Sequence, residues 1–371
     1  MTPVTIVLLC GPSGPGSLER LVAAARREAA ADSLVFFQRL PTIDRLIVAL
    51  PESEQAHFHL PDSSATIIDL DPIGQPFHFG NRLAEIIHTH QLNRILYLGA
   101  GSLPLMSESA LAEIVTQIVQ ADGRAALTNN LHSSDWVAFT QAHNIQAIAG
   151  WLDRDNMLAW RLRENAGYTV ETLLPSAGTR LDIDTPFDLQ ALALHPRTLP
   201  HLRSYLANLE PELNLARLKH ALEILRAPTA RLTLIGRVAS AAWQLLESKK
   251  RYWTRLFSEE RGMVANRRQA DGQAYSLLAD YLDRIGPQDF VAQLARTSDL
   301  VLWDTRVYLA HHGRWPSAEE RFASDLGYTE QITDERLKRL TQAVSESPIP
   351  ILLGGHNVVS GGLYALLEIA S

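Results

Sequence analysis

The chain has 371 residues, of which 46% are hydrophobic and 20% charged, the composition of an ordinary globular protein. Its 34 lysines and arginines against 41 aspartates and glutamates give a net charge of −7, which argues against a protein that coats nucleic acid. Cys10 is the only cysteine, so an internal disulfide and a cysteine metal cluster are excluded, and we expect a cytoplasmic protein. The length favours two domains over one.

The first half of the chain alternates short apolar runs with amphipathic segments. The first run, Val4–Cys10, is far too short to cross a membrane, and we expect no membrane partner. The pattern predicts a doubly wound, mostly parallel α/β sheet, whose ligands bind at the carboxyl ends of the strands. In chain order we predict strand Thr5–Cys10, helix Ser17–Ala31, strands Ser33–Gln38, Arg45–Leu50 and Ala65–Asp69, helix Gly80–His90, strand Arg94–Leu98, helix Glu108–Gln120, strand Ala125–Thr128, helix Arg154–Ala166 and strand Thr169–Leu174.

A change in pattern near Pro196 and Pro200 predicts a domain boundary, with domains at 1–195 and 196–371. The pattern of the second domain predicts a helix-rich α/β fold. Its residues resemble no known family, so its role stays unassigned. Its predicted elements are helices Leu202–Leu209 and Leu213–Leu225, strand Leu232–Ile235, helices Ala239–Glu247 and Ala274–Arg284, and strands Leu300–Trp303 and Ile349–Leu353.

The most informative motif is Leu181-Asp182-Ile183-Asp184-Thr185-Pro186-Phe187-Asp188-Leu189. Two carboxylates two residues apart on an extended segment point to the same side, and a hard cation such as Mg²⁺ relieves their repulsion. Thr185 and Pro186 are typical of a helix start. The alternative is that Asp182 and Asp184 are a polar strand end and a helix cap.

This motif resembles the closing motif of the nucleotidyltransferase superfamily with the nucleotide-diphospho-sugar-transferase fold. The similarity is greatest to the 2-phospholactate guanylyltransferases and the molybdenum-cofactor nucleotidyltransferases, and it covers roughly residues 40–195. It implies that Asp182 and Asp184 bind magnesium on the nucleotide phosphates. Three further segments match the family in order: Arg94–Ser107 for the strand followed by G-x-D-x-P-L-x-S, Leu127–Asn130 for a T-N segment, and Asp153–Asn156 with its following helix for the F-G-x-x-S loop.

Two departures from the family weaken the implied site. Ser102 stands where the family has a metal-binding aspartate, and a hydroxyl is a weaker Mg²⁺ ligand than a carboxylate. The family's opening loop is replaced by Gly11-Pro12-Ser13-Gly14-Pro15-Gly16, which has no lysine. The loop still offers glycines, a helix start and Arg20, which are elements of an anion site, although a plain turn is an equal alternative. Asp135 is a candidate replacement for the missing carboxylate.

Three polar clusters of the second half have no place in the resemblance. Gly354–Gly362 is either a site where backbone approaches a ligand or a tight strand–helix turn. Phe257–Met263, with Arg267 and Arg268 after it, is interpreted as a solvated helix end, the alternative being a basic loop for a phosphorylated ligand. His311 and His312 are expected to point in opposite directions on a strand and so not to form a metal pair.

The resemblance implies a magnesium-dependent nucleotidyltransferase that transfers an NMP from an NTP to a small phosphorylated acceptor. Asp182 and Asp184 are the implied catalytic residues, with Mg²⁺ on both, and Asp135 joins them as the candidate replacement carboxylate. Two alternatives stay open: a catalytically impaired nucleotide- or sugar-nucleotide-binding protein, and a glycosyltransferase. Self-association into a homo-oligomer also stays open. The implied nucleotide-binding residues are Gly11, Ser13, Gly14, Gly16, Arg20, Ser102, Asn129 and Asn130.

Overall fold

The computed structural model describes residues 3–58, 65–227, 229–249 and 252–371. These residues form two compact units. Unit 1 comprises residues 1–13, 23–182 and 199–202, and unit 2 comprises residues 14–22, 183–198 and 203–371. In the described part of the chain, no helix is both long enough and apolar enough to cross a membrane.

Unit 1 is built on a mixed sheet of seven strands, counted within the described residues. The spatial order is β3-β2-β1-β4-β6-β5-β7, and β6 alone of these strands runs antiparallel to its neighbours. The predicted doubly wound, mostly parallel α/β sheet is therefore confirmed. The strands are β1 Val4–Leu9, β2 Ile43–Leu50, β3 Thr66–Leu70, β4 Ile95–Gly99, β5 Ala125–Thr128, β6 Trp136–Phe139 and β7 Thr169–Thr172.

Apolar side chains on both faces of this sheet explain its burial. Along β1, Ile6 and Leu8 belong to one buried cluster while Val7 belongs to another, so each face of the strand has its own core. This is the pattern of a parallel sheet covered by helices on both sides. The helices of this part of the chain are α1 Ser17–Gln38, α2 Glu52–Gln55, α3 Phe79–Thr89, α4 Glu108–Gln120, α5 Leu158–Ala166 and α6 Ala177–Arg180.

The prediction of a strand at Ser33–Gln38 is wrong, because these residues are the last turns of α1. Leu34 and Phe37 are fully buried and three residues apart, which places both on one face of the helix. A short apolar run at the end of a helix cannot be distinguished from a buried strand by its periodicity. Strand β6 was not predicted, since its four residues are buried on both faces and carry no alternation.

Unit 2 has a second sheet of four described strands, all parallel, in the order β11-β10-β8-β9. The strands are β8 Arg231–Gly236, β9 Trp253–Ser258, β10 Leu300–Asp304 and β11 Ile351–Gly354. Strand β9 was not predicted, and the segment 257–263 begins at this strand's end and not at a helix end. The helices are α7 Pro186–Leu194, α8 Pro200–Asn208, α9 Ala216–Arg226, α10 Ser240–Lys249, α11 Leu277–Ile285, α12 Pro287–Thr297, α13 Arg306–His311, α14 Ala318–Leu326, α15 Glu335–Ser345 and α16 Gly361–Ala370.

The division into units differs from a single cut after residue 195. Helix α7 precedes that position, yet its Phe187 is fully buried in the core of unit 2 beside Leu232 and Leu363. Leu18, near the start of α1, likewise lies in a buried cluster of unit 2 with Ile235. Unit 2 therefore draws two short segments of its core from the first half of the chain.

Candidate functional site

In unit 1 the chain changes direction across the sheet between β1 and β4. Strands β2 and β3 extend the sheet on one side of β1, and β4 begins the other side. Leu9 pairs with Gly99 in the register of these two strands, and the N–H of Ala100 donates to the carbonyl of Leu9 at 3.0 Å. Loops after such neighbouring strands form the ligand crevice of open α/β sheets. Here those loops begin at Cys10 and Ala100.

Ser102 and Asp135 lie on either side of Gly99 at this edge. The hydroxyl of Ser102 donates to the carbonyl of Gly99 at 2.5 Å, and the N–H of Gly99 donates to the carbonyl of Asp135 at 3.2 Å. A Cβ on Gly99 would lie 3.8 Å from both Ser102 Oγ and the Asp135 carbonyl oxygen. The fold thus brings the backbone of Asp135, the predicted replacement for the missing carboxylate, close to Ser102.

Asn129 fixes the position of Asp135. Its side-chain amide donates to Asp135 Oδ2 at 2.5 Å, while its Oδ1 accepts from the Asp135 N–H at 3.1 Å. The adjacent Thr128 donates to the carbonyl of Trp136 at 2.8 Å, which ties the end of β5 to the start of β6. Asn129 is therefore a positioning residue for Asp135. Asn130 is half-buried and accepts from the N–H of His132.

A second carboxylate, Asp155, meets this edge through Tyr97 of β4. The Tyr97 hydroxyl donates to Asp155 Oδ2 at 2.9 Å. Burial raises the pKa of Tyr97 well above its ordinary value, and the charges of Asp155 and Asp135 raise it further. Both carboxylates therefore lie near one fully buried tyrosine. Carboxylate, hydroxyl and amide oxygens such as those of Asp135, Asp155, Ser102 and Asn129 are of the chemical kind that Mg²⁺ prefers, so these residue types suit the ion.

The first part of the predicted phosphate loop binds a carboxylate of the chain itself. Both the N–H and the hydroxyl of Ser13 donate to the carboxylate of Glu54 in α2, at 2.8 and 3.1 Å. Arg27 of α1 donates to the same carboxylate at 2.7 Å and to Ser13 Oγ at 3.1 Å. Glu54 and Arg27 side chains are 5% and 13% exposed, so this is a nearly buried ion pair. The Ser13 groups that would donate to a phosphate therefore donate to the Glu54 carboxylate instead.

Cys10, between β1 and this loop, has no activated thiol. Burial raises its pKa to about 11, and the negative charge of Glu54 adds to the effect. The thiolate is the nucleophilic form of cysteine, so Cys10 stays an unreactive thiol at neutral pH.

The second part of the loop, residues 14–16, belongs to unit 2 and also faces carboxylates. Glu19 accepts from the N–H of Gly16 at 3.0 Å. Glu319 of α14 accepts from the N–H of Leu18 at 2.9 Å and from the hydroxyl of Ser17 at 2.7 Å. The first N–H groups of a helix attract anions, and here Glu319 occupies them. Arg20 is exposed and donates to the carbonyl of Pro15.

Asp182 and Asp184 fall on opposite sides of the division between the units. Asp182 ends the segment that follows α6, where a Cβ on Gly178 would lie 3.1 Å from the carbonyl of Leu105. This contact places α6 against the segment that follows Ser102. Asp184 lies in unit 2, and its N–H donates to Asp188 Oδ2 at 2.8 Å.

Asp188 completes the N-terminal cap of α7, the helix start that was predicted from Thr185 and Pro186. Its Oδ2 accepts from the N–H of Thr185 at 2.7 Å, and Thr185 is the N-cap of α7 with Pro186 in the first turn. Burial raises the pKa of Asp188 to about 7, with the charge of Asp184 as the next cause. The third aspartate of the motif therefore has a structural role at the helix start.

Four of the site's charged residues were missed in the sequence, namely Arg27, Glu54, Asp155 and Glu319. Asp155 lies in a segment already matched to the family, so its position in that loop was a usable signal. Glu54 and Arg27 are 27 residues apart, and Glu319 lies 301 residues from Leu18, so their contacts exist in the tertiary structure alone.

The expectation for His311 and His312 is corrected, because both lie at the end of α13 and not on a strand. Their ring centroids are 4.9 Å apart, and one ligand atom from each lies within 4.8 Å of the other and of Asp283. Arg336 donates to His312 Nδ1 at 2.6 Å and pairs with Asp283 at 3.4 Å. The Arg336 guanidinium therefore already binds His312 and Asp283, two of the three residues that could hold a metal ion.

No protein-family model matches the sequence, and no curated protein is significantly similar to it. Solved structures do resemble it. A Desulfovibrio desulfuricans G20 chain, provisionally described as a nucleotide-diphospho-sugar transferase, has 14% identity and a TM-score of 0.40, over 57% of this chain and 97% of that chain. A Leptospira borgpetersenii cytidylyltransferase has 11% identity and a TM-score of 0.39, over 57% and 96%.

The 4-diphosphocytidyl-2C-methyl-D-erythritol synthase of Anaerococcus prevotii has 10% identity and a TM-score of 0.35, over 56% of this chain and 96% of that chain. These three TM-scores are below 0.5, so the function is inferred from the residues of this chain.

Proposed function

We propose that the chain is a magnesium-dependent nucleotidyltransferase that transfers an NMP from an NTP to a small phosphorylated acceptor. One observation carries the proposal: the polar residues predicted for unit 1 follow or precede strands at one edge of its sheet, around the point where β1 and β4 diverge. The loop Gly11–Ser13, Ser102, Asn129 and Asp135 all lie at that edge, where parallel sheets bind nucleotides.

The roles follow from the chemistry of the side chains. Asp182 and Asp135, both in unit 1, would hold Mg²⁺, and the ion would neutralise phosphate charge during transfer. Asn129 holds Asp135 in place through two hydrogen bonds. The Ser13 N–H and the Arg27 guanidinium would meet phosphate oxygens, with Arg27 supplying the cation that the loop lacks. Such transfer depends on positioning and charge neutralisation more than on covalent chemistry.

A second candidate function, nucleotide binding without catalysis, is favoured by a specific observation. Glu54, Glu19 and Glu319 accept hydrogen bonds from Ser13, Gly16 and Leu18 respectively, along the whole loop. A triphosphate must displace at least the first of these carboxylates. If it cannot, the protein binds the nucleotide through the base and sugar and releases no pyrophosphate.

The test is a thermal-unfolding panel of nucleoside triphosphates and nucleotide sugars, with and without Mg²⁺, followed by a pyrophosphate-release assay. The transferase predicts Mg²⁺-dependent stabilisation by one triphosphate and pyrophosphate release with phosphorylated acceptors. Stabilisation without release supports the binding protein. Absence of any shift with every nucleotide contradicts both.

The Asp182→Asn variant tests the assignment of the metal. We expect its Mg²⁺-dependent shift to disappear while its Mg²⁺-free unfolding temperature stays close to that of the wild type. The exposed Asp153→Asn variant removes the same charge and is the control. Equal behaviour of the two variants would remove Asp182 from the metal site.

A further inference from the structure

Unit 2 has its own change of direction, between β8 and β10. Strand β9 lies on one side of β8, and β10 with β11 lies on the other, so the carboxyl ends of β8 and β10 flank this point. The same rule that locates ligands in unit 1 therefore points to residues 236–237 and 304–306 of unit 2. No sequence motif had singled out residues 236–237 or 304–306, whereas the neighbouring segments Phe257–Met263 and Gly354–Gly362 were noted as polar clusters.

The two strand ends are held together by a contact that needs glycine. Gly236 has φ of +111°, and a Cβ there would lie 2.7 Å from both Cβ and the carbonyl oxygen of Asp304. Its carbonyl also accepts from the N–H of Glu259 at 2.9 Å, which attaches the loop after β9 to the end of β8. The loops that follow β8, β9 and β10 thus start at one place.

A buried carboxylate fixes Arg237 at this place. The Nε and Nη2 atoms of Arg237 donate to the two oxygens of Asp304 at 2.6 and 3.1 Å. Asp304 is fully buried, whereas the Arg237 side chain is 19% exposed. The pairing leaves Nη1 as a further donor, on a guanidinium that is already oriented. A guanidinium held by a buried carboxylate on one edge is prepared to bind a second oxyanion on another.

A second buried ion pair lies directly beside the first. Arg306 donates to Asp325 at 3.0 and 2.7 Å, and its N–H donates to Asp304 Oδ1 at 3.2 Å. The side chains of Arg306 and Asp325 are 7% and 0% exposed. Buried ion pairs of this kind seldom stabilise a fold more than apolar packing does, and perturbed charged groups in a cleft mark functional sites.

Two groups at this edge are not satisfied by the described residues. Nδ1 of His356, in the loop after β11, is sealed from solvent and has no hydrogen-bond partner among them. Arg261, in the loop after β9, is exposed, and its side chain forms no hydrogen bond or ion pair with any described residue. The positive charge of Arg261 is close enough to act on His356, since it helps to lower the pKa of that ring.

Two arginines at this edge keep side-chain donors that no described carboxylate accepts from, namely Arg237 through Nη1 and Arg261. Asp304 and Asp325 neutralise Arg237 and Arg306 one to one, and His356 is neutral at pH 7 because burial lowers its pKa to about 4. In the loop after β9, Arg268 pairs with Glu260 and Glu259 accepts from Ser276, whereas Arg261 and Arg267 are exposed cations. The Nη1 donor of Arg237 and the charge of Arg261 therefore favour a ligand with negative charge and oxygen acceptors.

We propose that unit 2 contains a second ligand site, at the carboxyl ends of β8, β10 and β11, which binds the phosphate or carboxylate group of a small molecule through Arg237 and Arg261 beside His356. The proposed site needs no metal. It gives unit 2 a binding role of its own.

Calorimetric titration of the full chain, in buffer without nucleotide or Mg²⁺, tests this site. Inorganic phosphate is the probe in one arm and acetate in the other. We expect saturable binding of one anion, weakened about tenfold in Arg261→Ala because a charge-assisted contact is lost. Arg261 is exposed, so its removal leaves the fold intact, which an Arg237 variant would not guarantee.

Arg267→Ala is the matched control, since Arg267 is exposed in the same loop and its loss changes the net charge equally. Its binding should equal that of the wild type. Hydrogen–deuterium exchange with the bound anion should show protection of residues 236–238, 259–262 and 354–358. The proposal is overturned by no saturable binding of either anion, by equal weakening in both variants, or by protection confined to residues 11–13. Those results leave the nucleotide panel of unit 1 unaffected.

Discussion

At the scale of single residues, carboxylates decide the chemistry of the candidate site. Ser102 supplies no charge, and the structure places Asp135 beside it and Asp155 on Tyr97. In the loop after β1, Glu54 holds both the N–H of Ser13 and the guanidinium of Arg27. The residues that would bind a phosphate are therefore present but engaged.

Glu54→Gln should increase the affinity for the triphosphate identified in the panel. The amide removes a negative charge from the phosphate's place and releases Arg27, which we expect to tighten binding on the order of tenfold, about 1.4 kcal/mol. Calorimetric titration measures it. Glu52→Gln, an exposed position in the same helix, is the control. Unchanged or weaker binding in Glu54→Gln alone would show that Glu54 supports the nucleotide site and does not compete with it.

His356 should make unit 2 sensitive to acid. Burial, followed by the charge of Arg237, lowers its pKa from 6.5 to about 4, so between these pH values the unfolded chain binds a proton that the folded one does not. The stabilisation is complete above pH 6.5 and is lost as the pH falls towards 4, by about 3 kcal/mol. Urea unfolding at pH 7.5, 5.5 and 4.5 measures it. His356→Gln should lose less stability over this range, and parallel curves would contradict the assignment.

At the scale of elements, loops that follow parallel strands determine what each sheet can bind. The loop after β1 and the loop after β8 both follow strands at a change of direction in the sheet. The two loops differ in the interactions that hold their backbone in position. Ser13 is held by side-chain hydrogen bonds, whereas Gly236 is held by close backbone contact at a positive φ of +111°.

Gly236→Ala should destabilise unit 2 strongly. The new Cβ would meet Asp304 at 2.7 Å in a conformation that L residues rarely adopt, and we expect a loss of about 2–4 kcal/mol in the free energy of unfolding. Gly272→Ala is the matched control, because it also has positive φ, of +65°, but open space around it. Its loss should be about 1 kcal/mol. Equal losses in urea denaturation would show that contact with Asp304 costs nothing.

At the scale of the whole molecule, the two units share the chain in a discontinuous way. Residues 14–22 and 183–198 belong to unit 2, although all but the last three of them lie before the predicted boundary after residue 195. Phe187 fills a space in the core of unit 2 that glycines leave open, since a Cβ on Gly362 would lie 2.3 Å from its ring. The motif with Asp182 and Asp184 therefore ends one unit and begins the other.

Fragments test this division. A fragment 183–371 should unfold more cooperatively than a fragment 196–371, because the shorter one lacks α7 and exposes the apolar surface that Phe187 covers. Removing a buried phenylalanine side chain costs about 3–5 kcal/mol. Thermal unfolding followed by circular dichroism, with binding of a hydrophobic dye, measures the difference. Equally cooperative unfolding of both fragments would place the boundary at 195.

The sequence by itself determined the α/β class, most elements of unit 1 and the helix start at Thr185 and Pro186, because hydrophobic period and capping residues act over a few positions. It also placed Ser102 after β4 and Asn129 after β5. Only the tertiary structure decided the end of α1, the antiparallel β6 and the true limits of the units. Only the tertiary structure showed that Glu54 accepts from Ser13, that Glu319 accepts from Leu18 and that Arg237 pairs with Asp304. Such contacts join residues far apart in the chain and therefore leave no local pattern in the sequence.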